Sequence, residues 1–322
     1  MTSKNVPPGR SAPEQALSHS PYAEPLEAAQ ARLLARYAQG TRIRRVRWSQ
    51  GETQVMELGA GPALLLVHGG LASGFYWAPI LPAFAENHRV LVVDLPGHGL
   101  ADPFDYTGID PLDHARTFLG DILAALELRT VAIVANSLGG LWSVAFALDA
   151  PDRVSRLVLV GAAAGVARGV PLQLRMLASP FVGQTLGRRL LSNQSRESTR
   201  AFWGQLLVVH PERLDNTLLD ADIAHSRRNL ESMLSLVHCV ANLMGLRDQL
   251  ILGDRWQDLK TPTLFLCGDR DGFMSPNVWR AWMTIATRNS NLRITHVPDA
   301  GHLPWLDDPQ RIVNEIERFL TM

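Results

Sequence analysis

The sequence predicts an α/β fold: a mostly parallel, eight-stranded sheet with helices on both faces and a helical lid inserted late in the chain. Three observations predict it. Two strand-like stretches flank turn residues near Gln50 and Gly51, and short apolar runs then alternate with helical stretches. The apolar runs are continuous rather than alternating with polar residues, the pattern of strands covered on both faces. Between Val160 and Pro262 the alternation stops, and roughly a hundred residues carry helical signals only.

In chain order, residues 1–22 are rich in Pro, Ser and Gly without periodicity, which reads as a disordered tail. Residues 23–40 read as a helix with Leu26, Leu33, Leu34 and Tyr37 on one face and Gly40 as its cap. Arg42–Trp48 and Thr53–Leu58 form an expected hairpin. The strands that follow are Ala63–Val67, Val90–Val93, Val131–Ala135, Val154–Val160, Thr263–Cys267 and Leu292–Val297. Helices are expected around Tyr76–Phe84 and over Leu112–Leu126, Leu138–Leu148, Pro276–Thr287 and Pro309–Leu320. Within the insertion, Leu172–Leu191, Arg196–Val209 and Leu230–Leu246 read as helical. The resulting division is a first core part at 41–161, a lid at 162–256 and a second core part at 257–322. The four arginines of the first strand, Arg42, Arg44, Arg45 and Arg47, read as a solvated sheet edge that discourages pairing with another chain.

Composition excludes several function classes. The 31 Lys and Arg balance 31 Asp and Glu, with a pI near 7.2, so no field of one sign attracts nucleic acid or an anionic membrane. Two cysteines, Cys239 and Cys267, lie far apart and form neither a disulfide framework nor a metal-ligand spacing. Nothing in the sequence calls for a metal or another cofactor. The opening residues have no apolar stretch behind Lys4 and Arg10, and so do not read as a secretory signal. The longest apolar run, Leu157 to Ala167, is shorter than the roughly 18 residues of a membrane span. The expectation is a soluble, cytoplasmic protein with a small-molecule substrate; its oligomeric state is not legible.

The chemistry lies at the carboxyl ends of the strands. Val131–Ala135 runs into Asn136-Ser137-Leu138-Gly139-Gly140 and then a helix. A serine on so tight a turn needs small residues two positions either side, and Ala135 and Gly139 supply them, with Ala in place of the first Gly of G-x-S-x-G. Alone, the serine also has a plainer reading as a helix cap, which the turn's small neighbours make the weaker of the two. As a nucleophile it needs a base, and the base an acid to orient it. Thr263–Cys267 ends in Gly268-Asp269-Arg270-Asp271-Gly272, and Leu292–Val297 ends in Pro298-Asp299-Ala300-Gly301-His302. The order Ser137, Asp271, His302 completes a triad, with His296 and His68 as rival bases. Asp269 is the rival acid; Asp271 is preferred because it lies deeper in the loop. Ala63–Val67 ends in His68-Gly69-Gly70-Leu71, where the backbone N–H of Gly70 or Leu71, with that of Leu138, forms a candidate oxyanion hole. His98 reads as structural. Asn136, Phe202, Trp203 and Leu303 are candidate substrate-binding residues.

Taken together, HGG after the third strand, DLPGHGLAD at Asp94–Asp102, NSLGG, GDRDGFMSP and DAGHLPWLDDP resemble the α/β-hydrolase superfamily over residues 42–322. The resemblance implies a serine hydrolase of the carboxylesterase kind, acting without a cofactor on a small to medium apolar ester. Ser137 rather than Asp at the nucleophile position argues against haloalkane dehalogenase and epoxide hydrolase chemistry. Asn136 together with HGG is also similar to the meta-cleavage product hydrolases, which cut carbon–carbon bonds. That subgroup has Trp after the catalytic His, where this chain has Leu303. It also has a lid Arg, where this chain has the Phe202–Trp203 region. The remaining alternatives are a hydrolase-like binding protein without turnover and a perhydrolase or lyase that uses the same triad.

Overall fold

The alternation of apolar residues in the strands sorts them between two cores. In the computed structural model, which describes residues 24–161, 165–179, 183–192 and 194–322, Leu65, Val67, Leu91, Val93, Ile133 and Leu157 fall in one buried cluster. Their neighbours Leu64, Leu66, Val90, Val92, Val134 and Val158 fall in the other. Successive strand residues point to opposite faces, so an apolar run with no polar alternation requires a cover on each side. The expected tail at 1–22 lies outside the described residues.

The strands are β1 (Arg42–Trp48), β2 (Gly51–Leu58), β3 (Ala63–Val67), β4 (Arg89–Val93), β5 (Val131–Asn136) and β6 (Val154–Val160) in the first part of the chain. A short pair, β7 (Ala241–Asn242) and β8 (Gly245–Leu246), precedes β9 (Thr263–Gly268) and β10 (Leu292–Val297). The main sheet has eight strands in the order β1-β2-β4-β3-β5-β6-β9-β10. β2 runs antiparallel to both its neighbours, and all other adjacent pairs are parallel. The order reverses around β3 and β5, which pair directly. In open α/β sheets a crevice forms outside the carboxyl ends of the strands where the order turns, and ligands bind there.

Edge strand β1 carries its arginines in ion pairs with carboxylates beside it: Arg42 with Glu57 at 2.9 Å, Arg45 with Asp102 at 2.6 Å and Arg47 with Glu52 at 3.1 Å. The helix ahead of it, α1 (Leu26–Tyr37), packs on a helix of the insertion, Asn216–Arg228. Leu26, Ala29, Leu33 and Leu34 of α1 are buried. Ion pairs Arg32–Asp220 and Arg36–Asp215 flank the contact at 3.2 and 2.7 Å. Exposed pairs of this kind contribute at most about 1 kcal/mol each, so the apolar face holds the helix in place. An element outside the strand–helix alternation thus braces the inserted segment.

The core helices are α2 (Leu81–Ala85), α3 (Pro111–Ala125) and α4 (Ser137–Asp149). Between β6 and β9 the chain forms α5 (Leu172–Leu177), α6 (Gly183–Ser192), α7 (Arg196–Leu206), α8 (Asn216–Arg228) and α9 (Leu230–Val240). After β9 come α10 (Pro276–Arg288), α11 (Pro304–Asp307) and α12 (Pro309–Leu320). Three expected helices differ. Leu172–Leu191 is two helices, Leu172–Leu177 and Gly183–Ser192, the second starting at Gly183 so close to the first that a Cβ there would lie 1.9 Å from Leu177 O. Leu230–Leu246 ends at Val240, and the β7–β8 hairpin follows, its turn closed by Asn242 Oδ1 accepting from Met244 N at 2.8 Å. The helix expected around Tyr76–Phe84 begins as a 3-10 helix, Gly74–Ile80, and becomes helical proper at Leu81.

Candidate active site

Ser137 follows directly on β5 and opens α4 with φ at 50°, a left-handed conformation that side chains other than glycine rarely adopt. Such strain in a non-glycine residue persists only where the surroundings over-determine it, and it concentrates at functional sites. The surroundings are the loop after β3. A Cβ on Gly139 would lie 2.2 Å from His68 O, so a glycine there lets the turn seat directly on the His-Gly-Gly segment. The turn lifts the hydroxyl to the carboxyl end of the sheet, where Ser137 lines a cavity of about 270 Å³.

Leu138 is the second residue of α4, and first-turn N–H groups have no partner within a helix. A Cβ on Gly70 would meet Leu138 Cδ2 at 3.2 Å, which brings the loop after β3 against the helix start. Gly70, Leu71 and Leu138 all line the cavity, and Leu71 is itself held at φ 61°. Both segments therefore border the space beside Ser137.

His302 is 3% exposed and lines the same cavity. Its Nδ1 lies 2.9 Å from Oδ2 and 3.0 Å from Oδ1 of Asp271, whose side chain is buried. Asp271 Oδ1 also accepts from Phe273 N at 2.8 Å, which fixes the carboxylate. The Phe273 ring stacks on the imidazole at 3.9 Å between centroids and 19° between planes. Asp269 is exposed and meets Ala300 N at 3.4 Å. Neither rival histidine lines the cavity. His296 packs on Trp279, and His68 is fully engaged below the site.

Asn136 borders the cavity, but its amide donates to two carbonyls, Val160 O at 2.8 Å and His302 O at 3.2 Å. It thus ties the serine's turn to the histidine's loop. A second tie comes from the insertion: Leu303 N donates to Leu207 O at 2.9 Å. A third is Asp307, which accepts from Gly301, Val209 and His210 N–H groups at 2.8 to 3.0 Å. Phe202, Trp203 and Leu303 line the cavity, Trp203 and Leu303 being buried.

Beneath the site is a polar scaffold that sequence reasoning left unassigned. Asp94, at the end of β4, accepts from Ser73 Oγ, Gly74 N, Leu100 N and Gln54 Nε2 at 2.8 to 3.1 Å. Burial raises its pKa against those donors. The signal was present in the DLPGHG run, whose acid directly follows an apolar strand. Around it sit three buried histidines. His68 accepts from Leu95 N through Nε2 at 2.9 Å and donates from Nδ1 to Gly69 O at 2.7 Å, so it is the neutral Nδ1–H tautomer. His98 Nδ1 meets Pro96 O at 2.9 Å, and His225 Nδ1 accepts from Gly99 N at 3.2 Å. Burial lowers the pKa of all three, to about 4 for His98 and about 3 for His225.

That scaffold predicts acid sensitivity. An unfolded histidine titrates near 6.5, so as pH falls below that value the unfolded chain takes up protons first, and stability complete above pH 6.5 is lost. Asp222, raised by burial to about 6, works in the opposite direction between about 6 and its unfolded value. At pH 5.5 the three histidines outweigh it, and the expected net loss is about 3 kcal/mol relative to pH 7.5. Urea unfolding at the two pH values measures it. An unchanged midpoint would contradict neutral burial of these rings.

Among the described residues no group of three or more His, Cys, Asp or Glu is placed to hold a metal ion, and no helix is long and apolar enough to cross a membrane. Both cysteines are free thiols.

Comparison with known proteins agrees with this architecture. The family model for the alpha/beta hydrolase fold matches residues 62–309. An uncharacterized protein of Mycobacterium tuberculosis is 26% identical over 273 residues, covering 81% of this chain and 76% of its own. A 2-hydroxy-6-oxononadienedioate/2-hydroxy-6-oxononatrienedioate hydrolase of Paraburkholderia phymatum is 32% identical over 235 residues, covering 69% of this chain and 75% of that protein. Among solved structures, a carboxylesterase of Bacillus subtilis superposes with a TM-score of 0.74 at 20% identity, covering 92% of this chain and 96% of that one. The chain belongs to the α/β-hydrolase fold family.

Proposed function

We propose that the protein is a serine hydrolase that cleaves a carboxylic ester of a small to medium apolar substrate through an acyl-enzyme. The observation that carries the reading is the buried Asp271–His302 pair opening onto the same cavity as the strained Ser137. With Asp271 on Nδ1, the Nε2 of His302 is left to act as base. It takes the proton from Ser137 Oγ as the oxygen attacks the ester carbonyl carbon. The carbonyl oxygen becomes an anion, stabilised by the N–H of Leu138 and that of Gly70 or Leu71, a contribution of about 3 kcal/mol for each donor. His302 then returns the proton to the departing alcohol. In the second half-reaction it deprotonates a water, which attacks the acyl carbon and releases the acid and Ser137. The helices between β6 and β9 serve as the lid: Leu174 and Leu177 of α5 and Met233, Val237 and Val240 of α9 form an apolar wall for the acyl or alcohol chain.

A second reading, hydrolysis of a carbon–carbon bond, is favoured by the Paraburkholderia relative, whose named substrates are dicarboxylates. The cavity speaks against it. Among the described residues that line it there is no Lys or Arg to pair with a substrate carboxylate, and Leu303 follows His302. A p-nitrophenyl ester series of graded chain length, run beside a dienol diketo acid, separates the two. The ester reading expects turnover of the esters with an optimum at medium length. Faster turnover of the diketo acid would overturn it.

A further inference from the structure

One wall of the cavity differs from the rest. Asp222 of α8 lines it, 4% exposed, and is the only carboxylate doing so among the described residues. Its Oδ1 accepts from the Tyr76 hydroxyl and its Oδ2 from Trp203 Nε1 at 3.1 Å. Each carboxylate oxygen has two lone pairs, so these donors leave acceptor capacity on both. Ser226 lies one turn further along the same face of α8 and also lines the cavity. Ser198, in the first turn of α7, and Gln194, just ahead of that helix, line the same cavity. Gln194 Oε1 is buried and has no hydrogen-bond partner among the described residues.

Burial raises Asp222 to about 6 against the hydrogen bonds of Tyr76 and Trp203, so at neutral pH it remains an anion. A buried carboxylate facing an apolar cavity is costly and persists where its charge or its lone pairs are used. Tying α7 and α8 to Tyr76 accounts for two of those lone pairs. With the lone pairs left on Asp222, the unpartnered Gln194 Oε1 gives the cavity unused acceptors, while the Ser198 hydroxyl is held in the cap of α7 by Ser195. Such a wall is satisfied by a ligand that donates, and repels one that brings a second negative charge.

We infer that Asp222, with Ser198, Ser226 and Gln194, forms a subsite for the polar head of the substrate. The head is a hydrogen-bond donor, a hydroxyl or an ammonium group, and a carboxylate is excluded. The substrate class is then an ester with an apolar chain on the α5–α9 side and a donor head on the α7–α8 side. Asp222 is on this account a specificity determinant that takes no part in the proton transfers. The inference rests on the ester-hydrolase reading.

Two matched ester series test it: p-nitrophenyl hexanoates and hexyl butanoates, each ending in a methyl, hydroxyl, ammonium or carboxylate group at the far carbon. In at least one series, kcat/KM for the ammonium ester should exceed that for the carboxylate ester at least 100-fold at pH 7.5, with the hydroxyl ester above the methyl one. Asp222→Asn should reduce the ammonium-to-carboxylate ratio below about 10-fold while the methyl ester is still turned over. A ratio near one in both series, or an unchanged ratio in Asp222→Asn, overturns the subsite. If Asp222→Asn does not fold, the wild-type ratios and Ser226→Ala decide, the latter being expected to lower the hydroxyl-over-methyl preference. Binding is read separately from turnover by thermal shift of Ser137→Ala. Octylamine and 1-octanol should raise its Tm, and octanoate should not. A shift with octylamine in a protein that hydrolyses no ester would sink the ester reading and leave the subsite standing.

Discussion

Replacement of Ser137 by alanine is expected to lower kcat on an activated ester by 10⁴-fold or more, on the order found when the nucleophile of such a triad is removed. The fold should survive, because Ser137 occupies a left-handed backbone position without supplying a packed side chain to either core. The same substitution leaves Leu138 N–H and the loop after β3 in place, so substrate binding persists and the loss falls on kcat. A variant that loses KM alone would assign Ser137 to binding. One that keeps full activity would assign the chemistry elsewhere.

The second large effect concerns Asp271. Asp271→Asn keeps the size of the side chain but presents an amide to His302 Nδ1, which favours the wrong tautomer and leaves the imidazolium without its counter-charge. A fall in kcat on the order of 10⁴-fold is expected. Asp269→Asn is the matched control, since Asp269 is exposed and meets only a backbone N–H at 3.4 Å. Its kcat should stay within a few-fold of wild type. Equal losses in the two variants would mean that the loop as a whole, rather than the His302–Asp271 hydrogen bonds, supports activity.

The architecture was legible wherever local pattern and tertiary context agree. The runs Ala63–Val67 and Val131–Ala135 read as doubly covered strands because nothing but burial on both faces explains five consecutive apolar residues. Strand order and pairing were not legible residue by residue, because a run such as Val154–Val160 has the same composition whether its neighbour is β5 or β10. The insertion was the harder part. Its helices are short, and their ends are set by single residues such as Asn242, whose side chain closes a turn that periodicity does not register.

The site was readable to different depths. Ser137, His302 and the acidic loop each sit at a strand end with turn residues around them, a local signature. Which acid reaches the histidine depends on how the loop folds, and Phe273 N holding Asp271 Oδ1 is a contact no spacing announces. Asn136 was read as a substrate contact; its amide also joins the carbonyls of Val160 and His302, partners 24 and 166 residues away. Tyr76, Trp203 and Asp222 come from three separate elements and meet only in the folded chain. A buried Asp in mid-helix reads from sequence as an ordinary exposed acid, so long-range polar clusters of this kind lie beyond a local reading.

A nucleophilic Ser137 activated by His302 and Asp271 reacts covalently with electrophiles that mimic an ester. The most direct test is covalent: incubate the folded protein with a fluorophosphonate, digest it, and locate the added mass. The account predicts stoichiometric labelling on Ser137, lost in Ser137→Ala and slowed at least 100-fold in His302→Ala. Absence of label in folded wild-type protein, or label on another residue, would contradict it.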